Sequence, residues 1–183
     1  MRKIVVYLFM SADGVIEDPP RFVHDFDEVM RKELADTVGA QDTVLLGRRG
    51  YDEWAAHWPT ATEEPFASFI NGVRKVVVTS RPLETRWGGA EVLAGDPRAP
   101  LAERLAPLRE GSGGDIGVHG SVSLARSVVA QGLADELRLV MTPYVAGEGR
   151  RLFEGAQAGA LRLDSARTTP TGTVLLRYRV PSA

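Results

Sequence analysis

The chain lacks cysteine altogether and has only three histidines among its 183 residues. Without thiolates it can form neither disulfides nor the zinc site of nucleobase deaminases, which requires an H-x-E and a P-C-x-x-C segment. We therefore expect no deaminase activity and no catalytic metal. His24 and His57 stand alone in the sequence, and we assign them no role.

Strong net charge and long apolar runs are also missing. The 22 basic and 24 acidic residues leave a net charge of −2, which gives no reason to expect binding to nucleic acid or to anionic membranes. No apolar run approaches the roughly 20 residues of a membrane-spanning helix, and residues 1–10 lead into a turn without a cleavage pattern. We expect a cytoplasmic protein with a small-molecule partner, built as a single domain over residues 1–183.

What the sequence does contain is a set of apolar runs that predict buried strands followed by similar turns. The runs and turns are Thr43–Leu46 before Gly47, Arg48 and Arg49; Lys75–Thr79 before Ser80 and Arg81; and Ile116–Val118 before His119, Gly120 and Ser121. Ligands of open α/β sheets bind outside the carboxyl ends of the strands. If these strands are parallel neighbours, their turns form one site with three arginines, two hydroxyls and a helix N-terminus, an inventory that suits a phosphorylated dinucleotide.

The turn at Gly120 leads into a predicted helix from Val122, and this helix strengthens the case for a phosphate site. Leu124 and Val128 share one face of it, and Gly132 follows its end. The unpaired first amides of a helix carry partial positive charge and suit a phosphate. A plain β–α–β crossover is an equal alternative, the arginines alone are typical of solvated surface charges, and the G-x-G-x-x-G fingerprint is absent.

Asp13 follows the most apolar run, Lys3–Met10, within a Ser-Ala-Asp-Gly turn. Its carboxylate either binds a donor-rich ligand or only shapes the turn, and the sequence favours neither. Other predicted helices are Asp25–Val38, with Asp25 and Glu28 as a capping box, Tyr51–Ala56, Pro65–Asn71 and Pro100–Arg109. Further strands are Glu91–Leu93 and Leu137–Met141, and Leu161–Thr169 with Thr173–Val180 form a terminal hairpin.

Taken in order, these pieces resemble the dihydrofolate reductase-like superfamily, and within it the reductase domain of the riboflavin-biosynthesis deaminase-reductase and its stand-alone relatives. The resemblance runs from residue 3 to about residue 180. The motifs that carry it are Ser11–Gly14, Leu46–Arg48, Val78–Leu83, Gly120–Leu124, Gly132–Leu137, Pro143 and Gly147–Phe153. It implies an α/β three-layer fold: a mostly parallel central sheet with helices on both faces and a C-terminal antiparallel hairpin.

The resemblance also implies an NADPH site and a hydride transfer to a C=N or carbonyl group of a pyrimidine- or pterin-like molecule, as in 5-amino-6-(5-phosphoribosylamino)uracil reductase. Arg48 and Arg49 would lie near the adenosine 2′-phosphate and favour NADPH over NADH, and Gly47, Thr79, Ser80 and Arg81 would complete the adenosine end. His119, Gly120, Ser121, Val122 and Ser123 would hold the pyrophosphate. Asp13 would face the substrate and nicotinamide, fixing the substrate or relaying a proton. The same resemblance implies a homodimer.

The sequence departs from the family at two places. Gly50 stands where relatives often have a threonine that contacts the cofactor phosphates, and His119-Gly120 replaces the paired glycines of dihydrofolate reductases, which disfavours folate as the substrate. The predicted helix Asp25–Val38 has no clear buried carboxylate for a pterin, although Asp25 and Asp27 lie nearby. Two alternative functions stay open: a reductase of xenobiotic or pterin-like carbonyls, and a catalytically silent NADPH-binding module.

Overall fold

The computed structural model describes residues 1–157 and 159–181 and forms one eight-stranded sheet in the order β4-β3-β2-β5-β1-β6-β8-β7. The first six strands in that order run parallel, while β8 and β7 are antiparallel. The strands are β1 (Ile4–Met10), β2 (Gln41–Gly47), β3 (Arg74–Val78), β4 (Ala90–Val92), β5 (Asp115–His119), β6 (Glu136–Met141), β7 (Arg162–Thr168) and β8 (Val174–Arg179).

In the described part of the chain, five α-helices cover the two faces of this sheet. They are α1 (Glu28–Gly39), α2 (Arg48–His57), α3 (Phe66–Gly72), α4 (Leu101–Glu110) and α5 (Val122–Ala130). Alternate residues of the strands belong to different clusters, as expected where side chains point to opposite faces. Ile4 and Leu45 pack with α4 and α5, whereas Tyr7 and Val44 pack with the side of α1, α2 and α3. The expected three-layer architecture is confirmed.

The adjacency of the three turn-bearing strands is confirmed as well. β2 lies between β3 and β5 and pairs parallel with both, so the carboxyl ends of all three meet at one edge of the sheet. Their apolar residues explain the burial, since Val44, Leu45 and Leu46 are fully enclosed between the helical layers. This edge is where the candidate site lies.

Several predicted boundaries are wrong by one to three residues. Helix α2 begins at Arg48 and not at Tyr51, so Arg48 and Arg49 lie in its first turn. Helix α1 is capped by Asp27, whose Oδ1 accepts a hydrogen bond from the Met30 amide at 2.9 Å, and not by Asp25. The Asp25 carboxylate instead accepts the Tyr144 hydroxyl at 2.6 Å. Strand β3 ends at Val78, so that Thr79 belongs to the turn. Asp27 is the capping residue because the side-chain oxygen of a cap accepts from the amides two or three residues after it.

Lys75 on β3 is a fully buried cation with no carboxylate partner among the described residues. Its Nζ donates to the carbonyl oxygens of Asn71, Val73 and Gly88 at 3.3, 2.8 and 2.7 Å, and it lies 4.6 Å from the centre of a Trp87 ring. Burial lowers the pKa of Lys75 to about 8, because an enclosed ammonium loses its hydration. All three of its donors are used.

The edge strand β7 differs from the rest of the sheet. It pairs only with β8, and every one of its residues is exposed. At the opposite extreme β1 lies between β5 and β6, with five of its seven residues buried. The N-terminal strand is thus at the centre of the sheet.

Candidate functional site

A cleft of about 470 Å³ opens at the carboxyl edge of β2, β3 and β5. Its walls come from the β2–α2 turn, the start of α5, the segment before α4 and the first turns of α4 itself. The lining residues are Gly47, Arg48, Arg49, Gly50, Glu53, Val78, Pro97, Ala99, Leu101, Arg104, Gly120, Ser121, Val122, Ser123, Leu124, Ser127 and Arg150. Seven of the eleven residues predicted to bind a cofactor are in that set: Gly47, Arg48, Arg49, Gly120, Ser121, Val122 and Ser123.

Ser121 connects two of the predicted turns. It is the residue before α5, but its hydroxyl does not cap that helix: Oγ accepts a hydrogen bond from the Gly47 amide at 2.9 Å. The tips of β2 and β5 are thereby held together, and the first turn of α5 has no side-chain cap. Its amides line the cleft and retain the capacity to bind an anion.

Gly50 gives this arrangement its space. A Cβ at position 50 would lie 2.8 Å from the Ser121 Oγ, closer than a side chain tolerates. Any larger residue here, such as threonine, would displace the hydroxyl that binds Gly47. The lack of a side chain at Gly50 therefore leaves room for the Ser121 hydroxyl.

Arg48 and Arg49 both line the cleft, and both already have carboxylate partners. Nε of Arg48 donates to Asp52 at 2.7 Å, and its Nη1 donates to the Pro82 carbonyl at 2.6 Å. Nε of Arg49 donates to Glu53 at 2.8 Å. These carboxylates raise the pKa of both arginines and compensate much of their charge towards a ligand.

The turn of Thr79, Ser80 and Arg81 lies beside the cleft without lining it. The Arg81 amide donates to the Thr79 hydroxyl at 3.1 Å, which shapes the turn locally. The contact of these three residues with a cofactor stays a prediction.

The side chain of His119 lies away from the cleft, which corrects the expectation that it binds a phosphate. The imidazole is 3% exposed and its Nε2 lies 2.8 Å from Oε1 of Gln41, among Tyr7, Phe66 and Phe69. Burial lowers the pKa of His119 to about 3, so the ring is neutral. The sequence misled because alternation along β5 turns this residue to the α1 face.

Gly120 occupies a position that only glycine fits. Its φ is +66°, and a Cβ would overlap the Trp54 ring that packs against it from α2. Trp54 was not singled out from the sequence. Its contact shows that packing by a neighbouring helix constrains the turn after β5.

Asp13 lies outside the cleft, and its carboxylate is fully engaged. It accepts hydrogen bonds from the Ser11 hydroxyl at 2.6 Å, the Ala146 amide at 2.9 Å and the Gly147 amide at 3.0 Å, and it lies 3.4 Å from an Arg151 nitrogen. The Ser11 bond, then the Ala146 bond, lower the pKa of Asp13 to about 2. The group is a carboxylate at neutral pH and has no proton to donate.

The carboxylate that α1 buries is neither Asp25 nor Asp27 but Glu33. It pairs with Arg138, Arg167 and Arg177 from the last three strands. This cluster joins α1 to the antiparallel end of the sheet. It offers no free carboxylate for a pterin.

Arg104 and Arg150 are cleft residues that sequence reasoning missed. Arg150 pairs with Glu17 at 2.8 Å. Arg104 had a visible signal: with Leu101, Leu105 and Leu108 it completes the i, i+3, i+4, i+7 face of α4, so a charged residue stood on an apolar stripe.

No helix in residues 1–157 or 159–181 has the length and apolar character needed to cross a membrane. Within the same ranges, no group of three or more His, Asp or Glu side chains has the geometry to hold a metal ion.

Comparison with known proteins identifies a family. The sequence profile described as the RibD C-terminal domain matches residues 2–175. A curated relative, the uncharacterized protein YyaP of Bacillus subtilis strain 168, is 28% identical over 182 residues, covering 97% of this chain and 94% of the relative.

Solved structures share the fold at lower identity. A putative riboflavin biosynthesis protein from Shewanella sp. PV-4 superimposes with a TM-score of 0.76 at 16% identity, covering 98% of this chain and 99% of that one. Dihydrofolate reductase from Enterococcus faecalis, solved with NADP(H) and the ligand RAB-propyl, gives a TM-score of 0.65 at 15% identity, over 97% and 95% of the two chains.

Proposed function

From the premise that this chain belongs to the RibD C-terminal domain family, we propose that it is an NADPH-dependent reductase. Its substrate is a C=N or carbonyl group of a pyrimidine- or pterin-like small molecule, as in 5-amino-6-(5-phosphoribosylamino)uracil reductase. The observation that carries the proposal is the cleft of about 470 Å³, in which the uncapped α5 amides, hydroxyls and guanidinium groups lie at one edge.

The cleft fits a phosphorylated dinucleotide in the chemistry of its two walls. Ser121, Ser123 and the first amides of α5 form a donor-rich wall that suits a pyrophosphate. Val78 and Leu101 belong to an apolar wall that suits a planar base. Gly47 and Ser121 fix the relative position of the two turns through their 2.9 Å hydrogen bond.

NADPH, when bound, supplies a hydride to the electrophilic carbon of the substrate. The protein's part is to bind and orient. Asp13 holds the segment at Ala146 and Gly147 against the β1 turn, through two amide hydrogen bonds. Since its pKa is about 2, it acts on a substrate only as a hydrogen-bond acceptor, and a proton for the product comes from another donor.

The test is calorimetric titration with NADPH and NADH, followed by assays of cofactor oxidation with pyrimidine, pterin and simple carbonyl substrates. Micromolar or tighter NADPH binding, with turnover of one substrate class, supports the proposal. Absence of binding to either cofactor contradicts it.

A second candidate is a catalytically silent NADPH-binding module. It is favoured by Asp13, the one predicted catalytic side chain, whose carboxylate is occupied by protein donors. Tight NADPH binding without turnover on any of the three substrate classes would support this alternative. Turnover of a xenobiotic carbonyl alone would support a reductase outside riboflavin synthesis.

We further propose that residues 1–183 act as one domain, in the cytoplasm, as a homodimer. The family premise supports the dimer, and light scattering coupled to gel filtration tests it. A mass near the 19.9 kDa of one chain would contradict the dimer.

A further inference from the structure

Four arginines line the cleft, and they differ in how their charge is compensated. Three of them have a carboxylate partner within 2.8 Å: Arg48 with Asp52, Arg49 with Glu53, and Arg150 with Glu17. Arg104 has no carboxylate within 4.0 Å among the described residues. It is the cleft arginine whose charge no protein anion balances.

Arg104 is also held in place by the backbone. Its Nη2 donates to the Leu93 carbonyl at 2.8 Å and its Nε to the Ala94 carbonyl at 3.3 Å, and the residue is only 9% exposed. Gly95, at a φ of +91°, brings the loop close: a Cβ there would lie 3.4 Å from Arg104 Cγ. The loop therefore wraps the side chain and fixes its direction.

The third nitrogen, Nη1, has no protein partner among the described residues. It is not enclosed either, in contrast to the Nε atoms of Arg109 and Arg177, which are buried without a partner. Arg104 lines the cleft, and we infer that this open donor is the part of its guanidinium that a ligand in the cleft can reach. Burying a cation without a counter-charge is costly, and an anion at Nη1 would offset that cost.

The neighbours of Arg104 indicate which part of a ligand it meets. Leu101 lies one helical turn before Arg104 on α4, and Pro97 and Ala99 belong to the segment just before that helix, so the lining residues next to Arg104 offer apolar surface for an adenine ring. The uncapped amides suited to the pyrophosphate come from a different segment, the start of α5. A phosphate at Arg104 is therefore one attached to the adenosine.

We propose that Arg104 binds the 2′-phosphate of NADPH and is the main residue that distinguishes NADPH from NADH. This inference rests on the proposed function. A phosphate at Arg104 breaks no existing ion pair, whereas a phosphate at Arg48 or Arg49 competes with the carboxylate already bound there. The net gain in binding is thus largest at Arg104.

The test is calorimetry with NADPH, NADH and adenosine 2′,5′-bisphosphate on the wild-type protein and on Arg104→Met. We expect the variant to bind NADPH and the bisphosphate roughly ten- to hundred-fold more weakly, as for a lost charge-assisted contact, and to bind NADH as the wild type does. The ratio of NADPH to NADH affinity within one variant is unaffected by any inactive fraction, because both ligands titrate the same folded molecules.

Two further variants complete the design. Arg104→Lys keeps a charge and should retain part of the ratio, and Arg86→Met removes an exposed arginine outside the cleft and should leave it unchanged. An equal loss of NADPH and NADH affinity in Arg104→Met, or an unchanged ratio, overturns the inference alone. A wild type that binds NADPH and NADH equally also overturns it, and one that binds neither overturns the proposed function with it.

Discussion

Two buried cations donate to backbone carbonyl oxygens: Arg104 at the cleft and Lys75 beneath Trp87. They differ in whether any N–H donor is left without a partner. Lys75 has three N–H donors and three carbonyl acceptors, at Asn71, Val73 and Gly88. Arg104 uses Nη2 and Nε on two carbonyls and keeps Nη1 free within the described residues. A guanidinium has five N–H donors, so backbone anchoring leaves it able to bind something else.

The cleft and the Asp13 turn also differ in whether their hydrogen-bonding groups already have partners in the protein. The carboxylate of Asp13 accepts from a hydroxyl and two amides, which leaves little capacity for a ligand. The first turn of α5, in contrast, has amides that no side chain caps. Groups whose partners come from the protein hold the structure together, and groups left without partners at a cleft are the ones that bind.

The largest expected effect is at Lys75, whose donors are all bound to protein carbonyl oxygens. Lys75→Met leaves three buried carbonyls without a donor, and we expect a loss of about 2–4 kcal/mol in the free energy of unfolding at pH 7, even after the relief of burying a charge. Cofactor affinity should not change. Urea unfolding with calorimetry checks both, with the exposed Lys32→Met as the control. A change in NADPH affinity would break the comparison.

Lys75 also gives the comparison a pH signature. The pKa of Lys75 is about 8 in the folded protein and has its ordinary value of 10.5 in the unfolded chain. Between pH 8 and pH 10.5 the unfolded chain therefore binds more protons than the folded protein. The contribution of Lys75 to the free energy of unfolding therefore rises as the pH increases from about 8 to about 10.5. The contribution is the difference between wild type and Lys75→Met, and a flat difference across this window would contradict it.

The next effect concerns a paired cleft arginine. Arg48→Ala should weaken NADPH binding by roughly three- to tenfold, less than the change at Arg104, because Asp52 already compensates its charge. Asp52→Asn is the sharper variant, since it releases Arg48 and should strengthen NADPH binding. If Arg48→Ala lowered the ratio of NADPH to NADH affinity more than Arg104→Met does, Arg48 and not Arg104 would be the main residue that distinguishes the two cofactors.

The contact between Gly50 and Ser121 should appear as coupling between two substitutions. Gly50→Ala forces its new Cβ against the Ser121 hydroxyl, whereas in Ser121→Ala the oxygen is gone and alanine should stabilise α2. We expect a coupling free energy of about 1 kcal/mol or more from chemical unfolding of the two single variants and the double variant. Additive effects would show that the turns are not in contact.

The smallest effect on cofactor binding is expected at Asp13. Asp13→Asn should leave NADPH affinity unchanged and lower the melting temperature, because the Ser11, Ala146 and Gly147 donors lose a carboxylate. Since the pKa is lowered from 3.8 to about 2, this stabilisation is present above pH 3.8 and is lost as the pH falls through about 2. Melting curves of both proteins from pH 2 to 7 should therefore converge at the acid end.

Turnover separates the two interpretations of Asp13. With a substrate in hand and NADPH saturating, Asp13→Asn should keep near-normal turnover if the residue only holds its turn. A drop in turnover of roughly a hundred-fold or more would mean that Asp13 serves the substrate. It would also contradict the contrast between groups whose partners come from the protein and groups that are left without partners. The exposed Asp36→Asn serves as the matched control.

Much of the fold and part of the site could be predicted from the sequence. Apolar runs of strand length located β1, β2, β3 and β5, and the arginine turns indicated a shared edge. These signals are local, so a single segment carries them. Seven predicted cofactor residues, including Arg48 and Ser121, do line the cleft.

What the sequence could not provide depends on contacts between distant segments. The imidazole of His119 is hydrogen-bonded to a Gln41 side chain 78 positions away, and Gly120 is packed by Trp54 from α2. The apolar stripe of α4 could have drawn attention to Arg104, but its carbonyl partners lie on the loop at Leu93 and Ala94, which the helix sequence does not reveal. Neither the partners that enclose a side chain nor the absence of its counter-charge is a property of one segment.

The central position of β1 has a consequence for how the chain folds during synthesis. Residues Ile4–Met10 emerge before the rest of the sheet, and their sheet neighbours Asp115–His119 and Glu136–Met141 emerge more than a hundred residues later. Until then a strongly apolar strand has no native partner and depends on transient cover, for example by chaperones. Such distant pairing gives a high contact order, so refolding should be slow for a protein of this size.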